Sequence, residues 1–263
     1  MRPDYKNWVP KSLVVGFWSG TLAAAVCAVV FALIGFVGSF VWAVALFIVF
    51  AVVAVILGIV GAYMQIWHDA FSYTGKRQLS RRIIDKIAKK VSLPEGGKCL
   101  DVGCGSGALT IAVAKANPAA SVVGADRWGK EYASFSKALC EDNAKAEGVQ
   151  NVTFEKGDAT ELSYADETFD AVTSNYVYHN IPSKDRQAIL LETLRTLKKG
   201  GVFYIHDLFT KGKYGDMDSF LNTLKKMGYE KVELIDTTDG TFMTEKEAKM
   251  LFLTGSALLM GKK

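Results

Sequence analysis

The sequence has no charged residue and no histidine from Ser12 to Trp67. All of its Lys, Arg, Asp and Glu, 22% of the chain, lies outside that run. There the density of charge is that of an ordinary globular domain. The uncharged run excludes a wholly soluble protein, and the hydrophobic content of 50% excludes a disordered chain. We predict one membrane segment and one soluble domain of roughly 195 residues.

Cysteine and histidine are scarce, with four and three residues. The cysteines form no Cys-x-x-Cys pair and no cluster with histidine. The sequence therefore predicts neither a disulfide framework nor a metal site. Scattered free thiols of this kind fit a reducing compartment.

The uncharged run is long enough for two membrane-spanning helices, because one crossing takes about 20 residues. We predict spans at about 13–36 and 40–67, joined by a short turn at 35–39, within a membrane anchor at 1–68. Basic residues flank the run on both sides and are absent from the turn. By the positive-inside rule, the protein is expected in the cell membrane with both termini and the soluble domain in the cytoplasm.

Small residues are dense in both predicted spans, and Gly16 and Gly20 have a spacing that lets helix backbones approach. Two interpretations are open, namely packing within one hairpin and formation of a homodimer. A channel or transporter is disfavoured because ionisable groups usually mark ion paths and the spans contain none. The segment is expected to be an anchor.

The segment 69–92 connects the anchor to the soluble domain, and its part 78–91 predicts a basic amphipathic helix. Its apolar face could pack on the soluble domain, its basic face could rest on anionic lipid headgroups, and the two are compatible. The net charge of +4 is concentrated in this segment and in residues 1–11. That location favours the lipid bilayer as a partner and disfavours nucleic acid.

Strand and helix signals alternate through the remaining domain, 93–263. The predicted strands are 98–102, 121–126, 152–156, 169–174, 202–207, 231–236 and 257–261. The predicted helices are 108–116, 130–147, 184–197 and 216–227. This alternation predicts an α/β fold of Rossmann-like type, with a seven-stranded, mostly parallel sheet and helices on both faces. Ligands of such sheets bind at the carboxyl ends of the strands.

A glycine-rich loop, LDVGCGSG at 100–107, ends the first predicted strand. Gly103, Gly105 and Gly107 permit a tight turn and the close approach of a ligand. The spacing also satisfies a dinucleotide pattern, with Asp126 about 20 residues further on, so a nicotinamide-dependent oxidoreductase is an alternative. Asp101 favours a cationic cofactor instead, because a carboxylate beside a pyrophosphate is electrostatically costly.

Five motifs in order resemble those of class I S-adenosylmethionine-dependent methyltransferases over about residues 70–263. They are LDVGCGSG at 100–107, GAD at 124–126, GDA at 157–159, FDAV at 169–172 and LKKGGV at 197–202. The resemblance implies that S-adenosylmethionine is the cofactor. The cofactor-binding residues that we predict are Asp101, Gly103, Gly105, Gly107, Asp126, Arg127, Asp158, Ala159, Asn175 and Tyr73.

The resemblance also implies individual roles. Asp126 would accept the ribose hydroxyls, Asp158 the adenine amino hydrogen, and Ala159 would donate its backbone N–H. Tyr73 precedes the domain and would fold over the cofactor. Structural roles are open for both carboxylates, since Asp126 could cap the next helix and Asp158 a short turn.

The segment SNYVYHN at 174–180 follows the fourth predicted strand and is the best candidate for catalysis. Positioning supplies much of the rate of a methyl transfer, and a base is needed only for a protonated nucleophile. Tyr176 and His179 are the predicted catalytic residues, and a structural role of His179 is the alternative. His206 and Asp207 are candidates for the acceptor pocket.

The sequence thus predicts a membrane-anchored S-adenosylmethionine-dependent methyltransferase. An anchor is most useful when the acceptor is itself lipophilic, so a lipophilic small-molecule acceptor is expected as the partner. Alternatives are a methyltransferase of small polar thiols or amines and a non-catalytic S-adenosylmethionine-binding membrane subunit. A nicotinamide-dependent oxidoreductase is a further alternative.

Overall fold

The structure is a computed structural model that describes residues 2–38, 40–129 and 134–263. The chain forms two compact units. One is Lys6–Ser80, called here the hairpin unit. The other, called the sheet unit, combines Met1–Tyr5 with Arg81–Lys263. The first residues of the chain therefore belong to the unit that is otherwise encoded after the apolar run.

Two long helices dominate the hairpin unit, α1 at Lys11–Gly38 and α2 at Val41–Phe71. Both are long and apolar enough to cross a membrane, and only 17% and 6% of their most apolar stretches is buried. Each extends beyond its predicted span. The predicted turn at 35–39 is wrong for residues 35–38, since α1 continues to Gly38. Glycine weakens a helix, but no proline interrupts this one.

Several glycines of α1 and α2 meet the opposite helix. A Cβ atom added to Gly20 would lie 3.3 Å from Leu57, and one added to Gly61 would lie 3.3 Å from Phe17. A Cβ atom on Gly16 would meet nothing within 4 Å. These contacts agree with packing inside one hairpin as the role of Gly20 and Gly61. The homodimer stays a prediction.

The sheet unit contains the predicted seven-stranded, mostly parallel sheet, with strand order β3-β2-β1-β4-β5-β7-β6. The strands are β1 Lys98–Val102, β2 Ser121–Asp126, β3 Val152–Lys156, β4 Phe169–Asn175, β5 Leu197–Leu208, β6 Glu230–Asp236 and β7 Ser256–Lys262. Strand β7 runs antiparallel to β5 and β6, and the other pairs are parallel. The all-parallel dinucleotide-binding sheet has no such inserted strand.

Among the described residues, seven further α-helices follow the hairpin. They are α3 Leu79–Ala88, α4 Ala108–Ala116, α5 Lys137–Ala146, α6 Arg186–Arg195, α7 Lys211–Tyr214, α8 Met217–Lys226 and α9 Glu245–Met250. Helix α3 is the predicted amphipathic helix, shorter at each end. Its apolar residues Ile83, Ile84 and Ile87 are buried, as the packing interpretation requires. Contact of its basic face with lipid stays a prediction.

In the sheet unit, two predicted boundaries differ from the structure by five residues or more. Of the helix predicted at 130–147, residues 130–133 lie outside the described residues, and 134–136 are not helical. Helix α5 begins at Lys137, where the Ser136 hydroxyl accepts the Leu139 N–H at 3.2 Å. Strand β5 begins at Leu197, five residues before the prediction, because Leu197 pairs with Phe169 of β4. Such long-range pairing overrides local propensity.

Helices α7 and α9 are absent from the predictions because each is too short for a periodic pattern. Helix α9 nevertheless carries a readable signal. The Thr244 hydroxyl accepts the Glu247 N–H, and the Glu247 side chain accepts the Thr244 N–H. This capping box has the sequence signature Thr-x-x-Glu.

A small apolar cluster lies beside the glycine-rich loop in the sheet unit. It contains Cys104, Ile111, Cys140, Ala144 and Phe154. The larger core of the unit includes Phe203 and Ile205 of β5 and Leu190 and Leu194 of α6. The sheet thus rests on a large core, and the loop on a separate small one.

Candidate active site

The carboxyl ends of the parallel strands carry most of the predicted site residues. Strands β1 and β4 are neighbours in the sheet, with β2 and β3 on one side and β5 on the other. The strand order therefore reverses between β1 and β4. Open sheets bind ligands at such a switch point.

The glycine-rich loop places all three of its predicted glycines at positive φ, 73° for Gly103, 56° for Gly105 and 79° for Gly107. A Cβ atom on Gly103 would overlap Val177, and one on Gly107 would lie 3.0 Å from Phe154. At Gly105 a Cβ atom would meet nothing nearer than 3.9 Å. The protein's own packing therefore requires the outer two glycines, and the loop is open at the middle one.

Replacing Gly103 by alanine is expected to destabilise the sheet unit by about 2–5 kcal/mol. This figure combines the strain of a left-handed backbone with the overlap between the added Cβ atom and Val177. That corresponds to a melting temperature lower by about 5–15 °C. The matched control is Gly148→Ala, because Gly148 also has a positive φ, 70°, but has open space around its Cβ position. Thermal unfolding of the two variants measures the difference. Equal losses of melting temperature would contradict the packing argument.

Asp101 lies at the end of β1, just before the loop, and is 1% exposed. Its carboxylate accepts the Thr110 hydroxyl at 2.7 Å and the Thr173 hydroxyl at 2.9 Å. Burial raises the pKa of Asp101 to about 7, against the lowering effect of the two hydroxyls. An ionised carboxylate is costly to bury at this position, and a cation bound nearby would stabilise its charge.

Asp126 ends β2 and joins that strand to the glycine-rich loop. Its Oδ2 atom accepts the Gly105 N–H at 2.8 Å, and its Oδ1 atom accepts the Trp128 N–H at 2.7 Å. Asp126 is not the cap of α5, the first helix described after it, because Ser136 is. Each carboxylate oxygen retains acceptor capacity for a further donor such as a ribose hydroxyl.

Asp158 and Ala159 follow β3, and Asp158 is exposed. The Asp158 carboxylate accepts the Thr160 N–H at 2.9 Å and the Thr160 hydroxyl at 2.7 Å. These bonds, together with the charge of the exposed Arg127, lower the pKa of Asp158. The structural turn that the sequence left open is therefore present. It involves only one carboxylate oxygen, so an adenine-binding role stays compatible with it.

His179 forms a dyad with Asp207, whose importance the sequence did not reveal. His179 Nδ1 lies 2.6 Å from Asp207 Oδ1, and their side chains are 14% and 0% exposed. Asp207 also accepts the N–H groups of Tyr178 at 2.8 Å and Leu208 at 2.6 Å. The buried carboxylate thus fixes the imidazole and leaves Nε2 as its other nitrogen, the arrangement of an oriented general base.

Arg186 organises the segment that carries His179, and no sequence motif indicated it. Its guanidinium donates to four backbone carbonyls, those of Tyr178, Ile181, Ser183 and Lys213, at 3.0–3.2 Å. One residue thereby holds together the turn at Tyr178–Asn180 and helix α7. The rigid fork of donors makes arginine suited to such a role.

Tyr176 and Asn175 are bonded to other parts of the sheet unit. The Tyr176 hydroxyl lies 2.7 Å from Ser256 Oγ, and burial raises its pKa, so the phenol stays protonated at neutral pH. Asn175 Oδ1 lies 2.8 Å from Nδ1 of His206. Tyr176 has a φ of 57°, in the strained left-handed region. Catalytic and cofactor roles of Tyr176 and Asn175 stay predictions.

His206 and Asp207, the two candidates for the acceptor pocket, are fully buried. Nε2 of His206 lies 2.9 Å from the Thr237 hydroxyl, and burial lowers the pKa of His206 to about 3. The ring is therefore neutral and bonded at both nitrogens. Tyr73 belongs to the hairpin unit, and its role over the cofactor stays a prediction.

The sheet topology, the glycine-rich loop and the carboxylates at the ends of β1 and β2 and after β3 define an open α/β sheet with a ligand-binding switch point. The family described as Methyltransferase domain matches residues 93–249, more than half of the chain. The chain belongs to this family and is a methyltransferase. The nicotinamide alternative is thereby superseded.

Individual relatives share part of the chain. Methyltransferase GfsG of Streptomyces halstedii is 25% identical over 196 residues, 66% of this chain and 68% of that protein. Demethylmenaquinone methyltransferase of Anoxybacillus flavithermus is 37% identical over 117 residues, 43% of this chain and 45% of that protein. The chain thus spans less than half the length of that relative.

Solved structures share the fold at low identity. The cyclase SpnF has a TM-score of 0.55 at 22% identity, covering 71% of this chain and 82% of that one. Phosphoethanolamine N-methyltransferase 2 of Haemonchus contortus has a TM-score of 0.51 at 17% identity, covering 72% and 53%. Because one of these proteins is a cyclase, the fold alone does not decide the reaction.

S-Adenosylmethionine is the cofactor, and the residues at the sheet edge fit it. The molecule carries an ammonium and a sulfonium group, and the strand ends offer the carboxylates of Asp101, Asp126 and Asp158. The loop is open at Gly105, where a side chain would occupy the space above the backbone. Asp126 and Asp158 have acceptor capacity left for hydroxyl and amino hydrogens.

Proposed function

We propose that this chain is a membrane-anchored methyltransferase whose acceptor is a lipophilic small molecule that arrives with a proton on the acceptor atom. The observation that carries the chemistry is the dyad of His179 and Asp207. When bound, S-adenosylmethionine supplies an electrophilic methyl group. A methyl transfer needs a general base only when the nucleophile is protonated, so an oriented imidazole points to such an acceptor.

In this mechanism, His179 Nε2 takes the proton that the acceptor atom loses. Asp207 accepts a hydrogen bond from the Nδ1–H group of His179. This bond holds the imidazole in the tautomer whose Nε2 lone pair is available, and it stabilises the imidazolium after proton transfer. Arg186 keeps the His179 segment in place through its bonds to the surrounding carbonyls. Asp126 and Asp158 hold the cofactor, and Asp101 supplies negative charge beneath the glycine-rich loop.

The lipophilic character of the acceptor is inferred from the hairpin. Helices α1 and α2 have the length and composition of membrane spans. Basic residues flank the hairpin on both sides, which supports a cell-membrane location with both termini and the sheet unit in the cytoplasm. They are Arg2, Lys6 and Lys11 before it and Lys76, Arg77, Arg81 and Arg82 after it. Demethylmenaquinone, in the name of one relative, is a lipophilic quinone. An anchored enzyme would meet such an acceptor in the bilayer.

The test is incubation of the full-length protein in lipid vesicles with methyl-labelled S-adenosylmethionine and a membrane extract. We expect label to enter the organic phase, because the acceptor partitions into lipid. The control is the Asp126→Ala variant, which should label nothing since it lacks the carboxylate that ties β2 to the loop. Label confined to aqueous small molecules would favour polar thiols or amines. Cofactor binding without labelling of any fraction would favour a non-catalytic subunit.

A further inference from the structure

The first residues of the chain form hydrogen bonds within the sheet unit. The Asp4 N–H donates to Asn143 Oδ1 at 2.7 Å, and Asn143 Nδ2 donates to the Asp4 carbonyl at 3.1 Å. Asn143 lies on α5 and is 2% exposed. One buried amide side chain therefore binds both backbone groups of Asp4, as a neighbouring strand would.

The same side chain reaches the glycine-rich loop. Asn143 Nδ2 also donates to the Ser106 carbonyl at 3.0 Å, so its two N–H groups serve Asp4 and Ser106. Ser106 lies between Gly105 and Gly107. Asn143 is thus bonded at once to the N-terminal segment and to the loop at the cofactor edge of the sheet.

Tyr5 adds a second contact to the same region. Its ring packs against the cluster that contains Cys104 and Cys140. Its hydroxyl donates to Glu147 Oε1 at 3.2 Å, and Glu147 Oε2 pairs with Lys115 of α4 at 2.6 Å. Burial raises the pKa of Tyr5, so the phenol remains a donor at neutral pH. The N-terminal segment therefore contacts α5 and the cluster beside the loop.

We propose that residues 2–5 are a strap that holds α5 and the glycine-rich loop together, and that Asn143 is the positioning residue through which the strap sets the affinity for S-adenosylmethionine. Without the strap, the buried Asn143 amide loses two partners and no longer holds Ser106 in one position. A buried polar group that loses its partner is costly, so the site would rearrange. The strap is encoded before the hairpin, although the loop that it supports is encoded after it.

The test compares two substitutions at one position in the full-length protein in lipid vesicles. Asp4→Pro removes the N–H that Asn143 accepts, and Asp4→Ala keeps it while removing the same carboxylate. We expect Asp4→Pro to raise the Kd for S-adenosylmethionine about 5–20-fold, the effect of one or two lost hydrogen bonds. The loss in Asp4→Ala, which measures the carboxylate alone, should be smaller than that in Asp4→Pro. Isothermal titration measures both, and it needs no acceptor, so the result is independent of the proposed acceptor.

Asn143→Ala and the double variant with Asp4→Pro complete a cycle. If the strap acts through Asn143, the double variant binds the cofactor as weakly as Asn143→Ala alone. Hydrogen exchange should also quicken at residues 103–107 in Asp4→Pro while β5 stays protected, which a general loss of stability would not produce. Wild-type affinity in Asp4→Pro, additive losses in the double variant, or an equal loss in Asp4→Ala would each overturn the proposal.

Discussion

Replacing His179 by alanine is expected to lower kcat by about 10²–10⁴-fold while leaving the Kd for S-adenosylmethionine unchanged. The reason is that Nε2 takes the acceptor's proton, and alanine offers no group for this. The His179 Nδ1 atom lies 2.6 Å from the fully buried carboxylate of Asp207, so the imidazole has one orientation in the site. Steady-state turnover and cofactor titration on the same preparation give the two numbers.

Asp207→Asn tests the dyad itself. An asparagine amide at this position donates to Nδ1, which shifts the ring proton to Nε2 and blocks it as a base. We therefore expect a loss of kcat similar to that of His179→Ala. The control is Thr193→Val, which removes the buried bond to the Tyr178 hydroxyl and leaves both dyad side chains in place. A fall of kcat in both dyad variants of less than about threefold would show that no general base operates.

Replacing Asp101 by asparagine is expected to stabilise the cofactor-free protein at alkaline pH. Burial raises the pKa of Asp101 in the folded state from 3.8 to about 7, so the folded state holds this proton more tightly than the unfolded chain. Stability therefore falls as pH rises through that window. Above pH 7 the ionised carboxylate costs about 4 kcal/mol, and its removal should raise the melting temperature by about 10 °C.

The same variant should bind S-adenosylmethionine about tenfold more weakly or worse, because the negative charge beneath the loop is gone. Thermal unfolding from pH 5 to pH 8 should show the gap between variant and wild type widening with pH. His206, with its lowered pKa, destabilises both proteins alike on the acid side. Thr173→Val is the opposite control, because it removes a donor to the carboxylate and should lower stability at pH 8. A gap that does not change with pH would contradict the assignment.

These two predictions describe a site that retains costly features for function. Asp101 carries a buried charge, and Tyr176 has a left-handed backbone. Groups of this kind persist where function needs them and the surrounding structure holds them. The Asp101→Asn variant tests this statement, because we expect it to gain stability and to lose affinity for the cofactor.

Most strands of the sheet were predictable because their signal is local. Strands β1, β2 and β3 have the predicted bounds, and each ends at a glycine or aspartate motif. The loop glycines were predictable for the same reason, since a tight turn demands them within a few residues. The uncharged run from Ser12 to Trp67 likewise predicts two long apolar helices.

The errors share a different cause. Strand β5 begins early because Leu197 pairs with Phe169, 28 residues before it. His179 was a candidate by residue type, but its partner Asp207 is contributed by another strand. Arg186 is an ordinary surface-type residue until its four carbonyl partners are known.

Composition and local pattern sufficed to predict an apolar hairpin and an α/β unit, and the motifs at the strand ends resembled those of methyltransferases. The dyad of His179 and Asp207, the buried state of Asp101 and the strap formed by Asp4 and Tyr5 emerge only from the folded chain. The physical reason is range. Periodicity, turns and caps depend on neighbours a few residues apart, whereas burial, pKa shifts and hydrogen bonds such as that from Asp4 to Asn143 depend on segments that folding alone brings together.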